Sequence, residues 1–225
     1  MIVRAPVRLV IDEDRFRLDD NHLAVAPEDL RVVLFGLGLS GKSTNLLALD
    51  RCFNQQEDPG VHRLEAPEEQ TIVYDAVTFR HEGKRVHALT LSGAVHNRAA
   101  WLILLRDAHG LVFVVDSQRE RLDANIEKMA ELDSVLTELD PSAPRAAVIQ
   151  YNKRDLPNAA SHAELSASLN ERALPEFEAI ATRNHGVSET MLALLKKIEV
   201  GGATTPNVAE NTGPQRRPWW KLWRR

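Results

Sequence analysis

Residues 32–44, VVLFGLGLSGKST, run from an apolar segment through a glycine-rich turn into Lys42-Ser43-Thr44. Gly36 to Ser43 satisfies the spacing G-x-x-x-x-G-K-[ST]. It lies between a predicted strand, LRVVLF (30–35), and a predicted helix, STNLLALDRCF. Such a segment can only work if strand, loop and helix meet in one geometry. The backbone of Gly36, Gly38, Leu39, Ser40 and Gly41 must converge on an anion at a helix N-terminus, where the peptide dipoles favour negative charge. Lys42 is then placed for the β- and γ-phosphates of a nucleoside triphosphate, Ser43 for Mg²⁺, and Thr44 beside them in the first helical turn.

The rest of the chain repeats the strand-then-helix theme. QTIVYDAVTFR and KRVHALTLS are β-branched runs joined by HEG, the pattern of a hairpin. AAWLILLRDAHG reads as a helix, with Trp101 in the core or at an interface. LVFVVDS and RAAVIQYNKRD are continuous apolar runs, as expected of parallel strands covered on both faces. ERLDANIEKMAELDSVLTEL, HAELSASLNERA and SETMLALLKKIEV have helical character, and EFEAIAT closes the strand series. The expected fold is α/β: a mainly parallel sheet with one antiparallel edge hairpin, helices on both faces, and ligand loops at the carboxyl ends of the strands.

The loop leaves the base open, and YNKRD narrows it. Asn152, Lys153 and Asp155 follow a buried strand about a hundred residues after the glycine loop. An Asp155 carboxylate can accept both the N1–H and the 2-amino group of guanine, a pair adenine lacks, and a pocket built on hydrogen bonds discriminates strongly. Lys153 can lay its stem over the purine while Asn152 braces the loop. The expected ligands are GTP and GDP.

These are marks of Ras-like small GTPases. GLGLSGKSTN, GLVFVVDSQ and VIQYNKRDLPNA resemble, more closely, the bacterial polarity and gliding-motility GTPases of the MglA type, over about residues 30–200. The resemblance implies a Ras-like P-loop fold, GTP/GDP switching with Mg²⁺, and a homodimeric partner of the roadblock, MglB-like type. It places Ala181 and Thr182 in the last base-contacting loop and Thr71 at the Mg²⁺-sensing position of the first switch. TLSGAV (90–95) aligns with the second switch: Thr90 stands where most relatives have Asp, as in the MglA type, and Gly93 is in place. Ala94 occupies the position of the water-orienting Gln, and Gln70 that of an internal arginine finger. Such a finger contributes about 10³–10⁵ in rate in GTPases. Nucleotide binding with slow hydrolysis is the expectation; the alternative is a pseudo-GTPase scaffold that holds GTP constitutively. His96, whose imidazole could orient water in the glutamine's place, reads foremost as a surface histidine, and Tyr74 and Asp75 as strand-face residues. A P-loop ATPase or kinase is opposed by Asn152, Lys153 and Asp155.

Charge separates the tail from the body. The last twelve residues, PQRRPWWKLWRR, hold five basic residues, and the rest of the chain has 23 basic against 32 acidic residues, which opposes nucleic acid as a partner. Arg216, Arg217, Trp219, Trp220, Lys221, Trp223, Arg224 and Arg225 suit either an anionic membrane surface or a pocket on a partner protein. The expected organisation is an N-terminal extension over 1–29 with a hairpin around Asp12-Glu13-Asp14, the nucleotide domain over 30–200, and a linker and tail over 201–225. The N-terminus lacks a signal-peptide pattern and no apolar run would span a bilayer. The cytoplasm is the expected compartment, with peripheral placement at the inner membrane surface if the tail binds lipid. Cys52, the single cysteine, excludes an intramolecular disulfide and reads as a small buried residue.

Overall fold

The computed structural model describes residues 29–55, 62–65, 73–91, 98–106, 108–139 and 146–200. In chain order the elements are β1 (Leu30–Gly36), α1 (Lys42–Asn54), β2 (His62–Glu65), β3 (Val73–His81), β4 (Lys84–Leu91), α2 (Arg98–Arg106), β5 (Gly110–Asp116), α3 (Leu122–Glu138), β6 (Ala146–Asn152), α4 (His162–Leu169), β7 (Glu176–Glu178) and α5 (Val187–Val200). Among the described residues they form a seven-stranded sheet in the order β2-β3-β4-β1-β5-β6-β7. From β4 to β7 every pairing is parallel, and β2 and β3 extend the β4 edge antiparallel. The hairpin read from the sequence is there, but β2, too short to show a period, adds an edge strand that the sequence did not announce.

Side-chain alternation in β1 explains why its apolar run is unbroken. Val32 and Leu34 face one core with Leu46 and Leu49 of α1 and Met191, Leu194 and Leu195 of α5. Val33 and Phe35 face the other with Trp101, Leu104 and Leu105 of α2, Leu132 and Val135 of α3, and Leu165 of α4. Every other residue feeds the opposite core, so both sides of the strand must be apolar. Each fully buried large side chain stabilises the fold by about 1.5–3 kcal/mol. Cys52 departs from expectation. The last turn of α1 covers the sheet with Phe53, stacked 4.3 Å from Phe79, and Cys52 is turned outward.

Two local signals set helix starts. Ser161 caps α4 by accepting the N–H of Glu164, the S-x-x-E arrangement. The N-terminus of α1, by contrast, has no side-chain cap and no acidic residue in its first turn. Its free N–H groups open where the strand order reverses: β1 sits between β4 and β5, so the loops after β1 and β5 leave in different directions.

Candidate nucleotide site

The phosphate loop is tight because two of its glycines meet neighbours. A Cβ on Gly36 would lie 2.2 Å from the carbonyl oxygen of Val114 on β5, and one on Gly41 would lie 2.2 Å from Asn152 Nδ2. Gly41 also takes a left-handed backbone, φ 99°. Gly38 has open space around it, and Leu39 at the tip is 89% exposed with φ 66°. Ser40 is fully buried, and its hydroxyl oxygen has no hydrogen-bond partner among the described residues.

Lys42 is folded back into this loop. Its ammonium donates to the carbonyls of Gly36 at 3.1 Å and Leu37 at 2.6 Å. Burial pulls its pKa down to about 8, Lys128 adds to the depression, and Asp75 opposes it. A polyanion beside the ammonium would act in the same direction as Asp75 and favour its charged form. Ser43 Oγ donates to Asp75 Oδ2 at 2.6 Å. Asp75 lies on β3, as the strand-face reading has it, but it is buried and accepts the Ser43 hydroxyl. Its register partner on β4 is Thr90, which instead donates to Leu34 O of β1 at 2.9 Å. Thr44 follows, half-buried, in the first turn of α1.

The base loops are tied to the phosphate loop by one side chain. Asn152, at the end of β6, donates through Nδ2 to Ser40 O at 2.8 Å and accepts the Ala181 N–H on Oδ1 at 3.0 Å. Three loops far apart in sequence therefore hold one position. Lys153 takes a left-handed backbone, φ 63°, and its ammonium pairs with Asp116 Oδ2 at 2.7 Å. Asp116, itself buried, also accepts the backbone and side-chain N–H groups of Gln118. Asp155 has Arg183 Nη2 at 3.8 Å, and Thr182 is exposed beside it in the last loop.

A profile of the ADP-ribosylation factor family matches residues 20–199. The chain belongs to the ADP-ribosylation factor family. It is also 34% identical over 174 residues to the mutual gliding-motility protein MglA of Myxococcus xanthus (strain DK1622), covering 75% of this chain and 89% of that protein. With ADP-ribosylation factor-like protein 6 of Caenorhabditis briggsae it shares 29% over 152 residues, 66% of this chain and 73% of the relative. The protein is thus an MglA-like, Ras-like small GTPase by family, with the architecture of a nucleotide-binding switch.

Within this family member the cradle fits a nucleotide phosphate: an uncapped helix end, glycines that a Cβ would displace, and a folded-back ammonium. Mg²⁺ fits as well, because it needs few protein ligands when phosphates and waters supply the rest, and Ser43 beside Asp75 offers one hydroxyl with a carboxylate behind it. Among the described residues no cluster of three or more His, Cys, Asp or Glu gathers to hold a metal alone. Asp75 and Asp116 are the partners of candidate site residues that sequence reasoning missed. Strand register carries both: Asp75 pairs with Thr90, and Asp116 pairs with Asn152. Thr71, Gly93, Ala94, Gln70 and His96 lie outside the described residues, as do residues 1–28 of the extension over 1–29 and the linker and tail over 201–225. No helix among the described residues is long and apolar enough to cross a membrane.

Proposed function

We propose that the protein is a guanine-nucleotide switch that binds GTP and GDP with Mg²⁺ and hydrolyses GTP slowly. The observation that supports the reading is the Asn152 tie, which joins the loop after β6, with Lys153 and Asp155 in it, to the phosphate loop and to Ala181. Asp155 reads guanine, Lys153 flanks the purine while anchored on Asp116, and Ala181 and Thr182 border the base. Lys42 binds the β- and γ-phosphates once it leaves the carbonyls of Gly36 and Leu37, and Ser43 with Thr71 holds the metal. Ala94 has no polar group with which to hold the water, and Gln70 has no charge to stabilise the transferring phosphoryl group. Those two residues equally favour the second reading, a pseudo-GTPase scaffold that keeps GTP as structure.

The relative's name refers to gliding motility, and a role in motility or cell polarity comes with this reading. A roadblock-type, MglB-like homodimer is the proposed partner, and the basic Trp tail the proposed contact to a membrane surface or a second protein. Single-turnover hydrolysis on purified protein separates the readings. Ala94→Gln combined with Gln70→Arg should raise the rate at least tenfold, about 1.4 kcal/mol of barrier. Wild-type turnover equal to that of ordinary Ras-like proteins would overturn the slow-hydrolysis reading, and bound GTP that neither exchanges nor turns over would favour the scaffold.

A further inference from the structure

Lys128 is a buried cation that the phosphate loop and base loops leave unused. It sits in α3, 9% exposed, with its ammonium 5.0 Å from the centroid of the Phe35 ring and 5.9 Å from that of Trp101. The two rings are themselves 4.2 Å apart, tilted 55° to one another, and join β1 to α2. Its carboxylate partner is Glu131 at 2.7 Å, one turn along the same helix. The Glu131 side chain is 34% exposed against 10% for Lys128, so the countercharge lies toward water and the ammonium lies inward. A buried ammonium gains from a second anion.

Position says where that anion would come from. Phe35 is the residue before Gly36, whose carbonyl holds Lys42. Lys42 and Lys128 therefore bracket the junction of strand and loop, close enough for the Lys128 charge to be felt at Lys42. The strand order gives the side. The base loops follow β6 and β7, whereas Lys128 packs on β1 and on α2, which follows β4 across the sheet from them. Ser43 and Asp75 are joined away from the base loops too, on the α1 face of the sheet, opposite the α2–α3 face that Lys128 occupies. A nucleotide with its base at Asp155 ends its phosphate chain at the carboxyl end of β1, where the two faces meet.

We propose that Lys128 is a specificity-determining cation for the terminal phosphate, setting the preference for a nucleoside triphosphate over the diphosphate. The proposal rests on the nucleotide-switch reading above. A point charge on a flexible stem acts on a phosphate without bidentate geometry, and in a partly buried site the attraction reaches several ångströms. The positive charge that Gln70 does not bring to the γ-phosphate side is supplied from α3 instead, and Glu131 competes for it.

Equilibrium affinities for GDP and for a non-hydrolysable GTP analogue test this on the full chain with Mg²⁺. Lys128→Met keeps the stem and removes the charge. It should weaken the GTP analogue about tenfold and GDP by less than twofold, while Lys128→Arg stays near wild type. Glu131→Gln, at a half-exposed position, should move the other way and tighten the GTP analogue several-fold by freeing the ammonium. Equal effects of Lys128→Met on both nucleotides, or none on either, would overturn the proposal, as would Glu131→Gln leaving the ratio unchanged. A wild-type protein that binds neither nucleotide would instead overturn the switch reading beneath it.

Discussion

Gly38 and Gly41 stand three residues apart in one loop and place opposite demands on a side chain. Nothing lies within 4 Å of a Cβ on Gly38, whereas one on Gly41 would sit 2.2 Å from Asn152 Nδ2 on a left-handed backbone. Gly41→Ala therefore has to displace the side chain that ties Ser40 to Ala181 and to strain its own φ. It should cost about 2 kcal/mol, lowering Tm by about 4–8 °C, and weaken nucleotide binding at least a hundredfold. Gly38→Ala should leave stability within about 0.5 kcal/mol. Thermal melts of the pair check this: equal Tm values would remove the Asn152 tie as the reason for glycine at position 41.

At the scale of elements, the β3–β4 hairpin couples the start of α1 to the sheet, because Asp75 on β3 is the acceptor of the Ser43 hydroxyl. Its turn carries a local conflict. Glu82 and Gly83 both have positive φ, 47° and 81°, the type I′ pattern that suits the twist of a two-residue hairpin and favours Asn before Gly. Glu82 has a Cβ but no short polar group to favour that backbone. Glu82→Asn should stabilise by about 0.5–1 kcal/mol and raise Tm by about 1–4 °C. Nucleotide affinity should not change, since the turn is at the opposite end of β3 from Asp75's neighbour Tyr74 and the site. A lower Tm would mean that the Glu82 side chain has a role in the hairpin.

For the whole molecule, a ligand that binds the folded chain alone adds stability by mass action, about 4 kcal/mol at a thousand times Kd. For a chain of this size that is a Tm rise of about 8–16 °C. GDP with Mg²⁺ should give it, ATP should not, and Asp155→Asn should lose most of the GDP shift, because an amide cannot accept both guanine donors. A chain ending at residue 213 should retain the full shift if the tail is separate from the pocket. Equal stabilisation by ATP and GDP would remove Asp155 as the base reader; a shift that disappears with the tail would join the tail to the site.

Glycine spacing with Lys42 and Ser43, the unbroken apolar strands and Asn152-Lys153-Asp155 made the sheet, the cradle and the expected base legible from the chain alone. Each of these is a local pattern: a period, a run or a fixed offset dictates it, and neighbours in sequence supply it. What tertiary structure decided is pairwise and distant. Asp75 became a partner of Ser43 because β3 carries it past the start of α1, 32 residues away. Asp116 became the anchor of Lys153 because β5 and β6 end in register. Lys128 was one more polar position in an amphipathic helix until Phe35 and Trp101 enclosed it. No spacing rule encodes such meetings, since their distance in sequence is set by the crossovers of the fold, and their energies exist only once burial has removed water from between the charges.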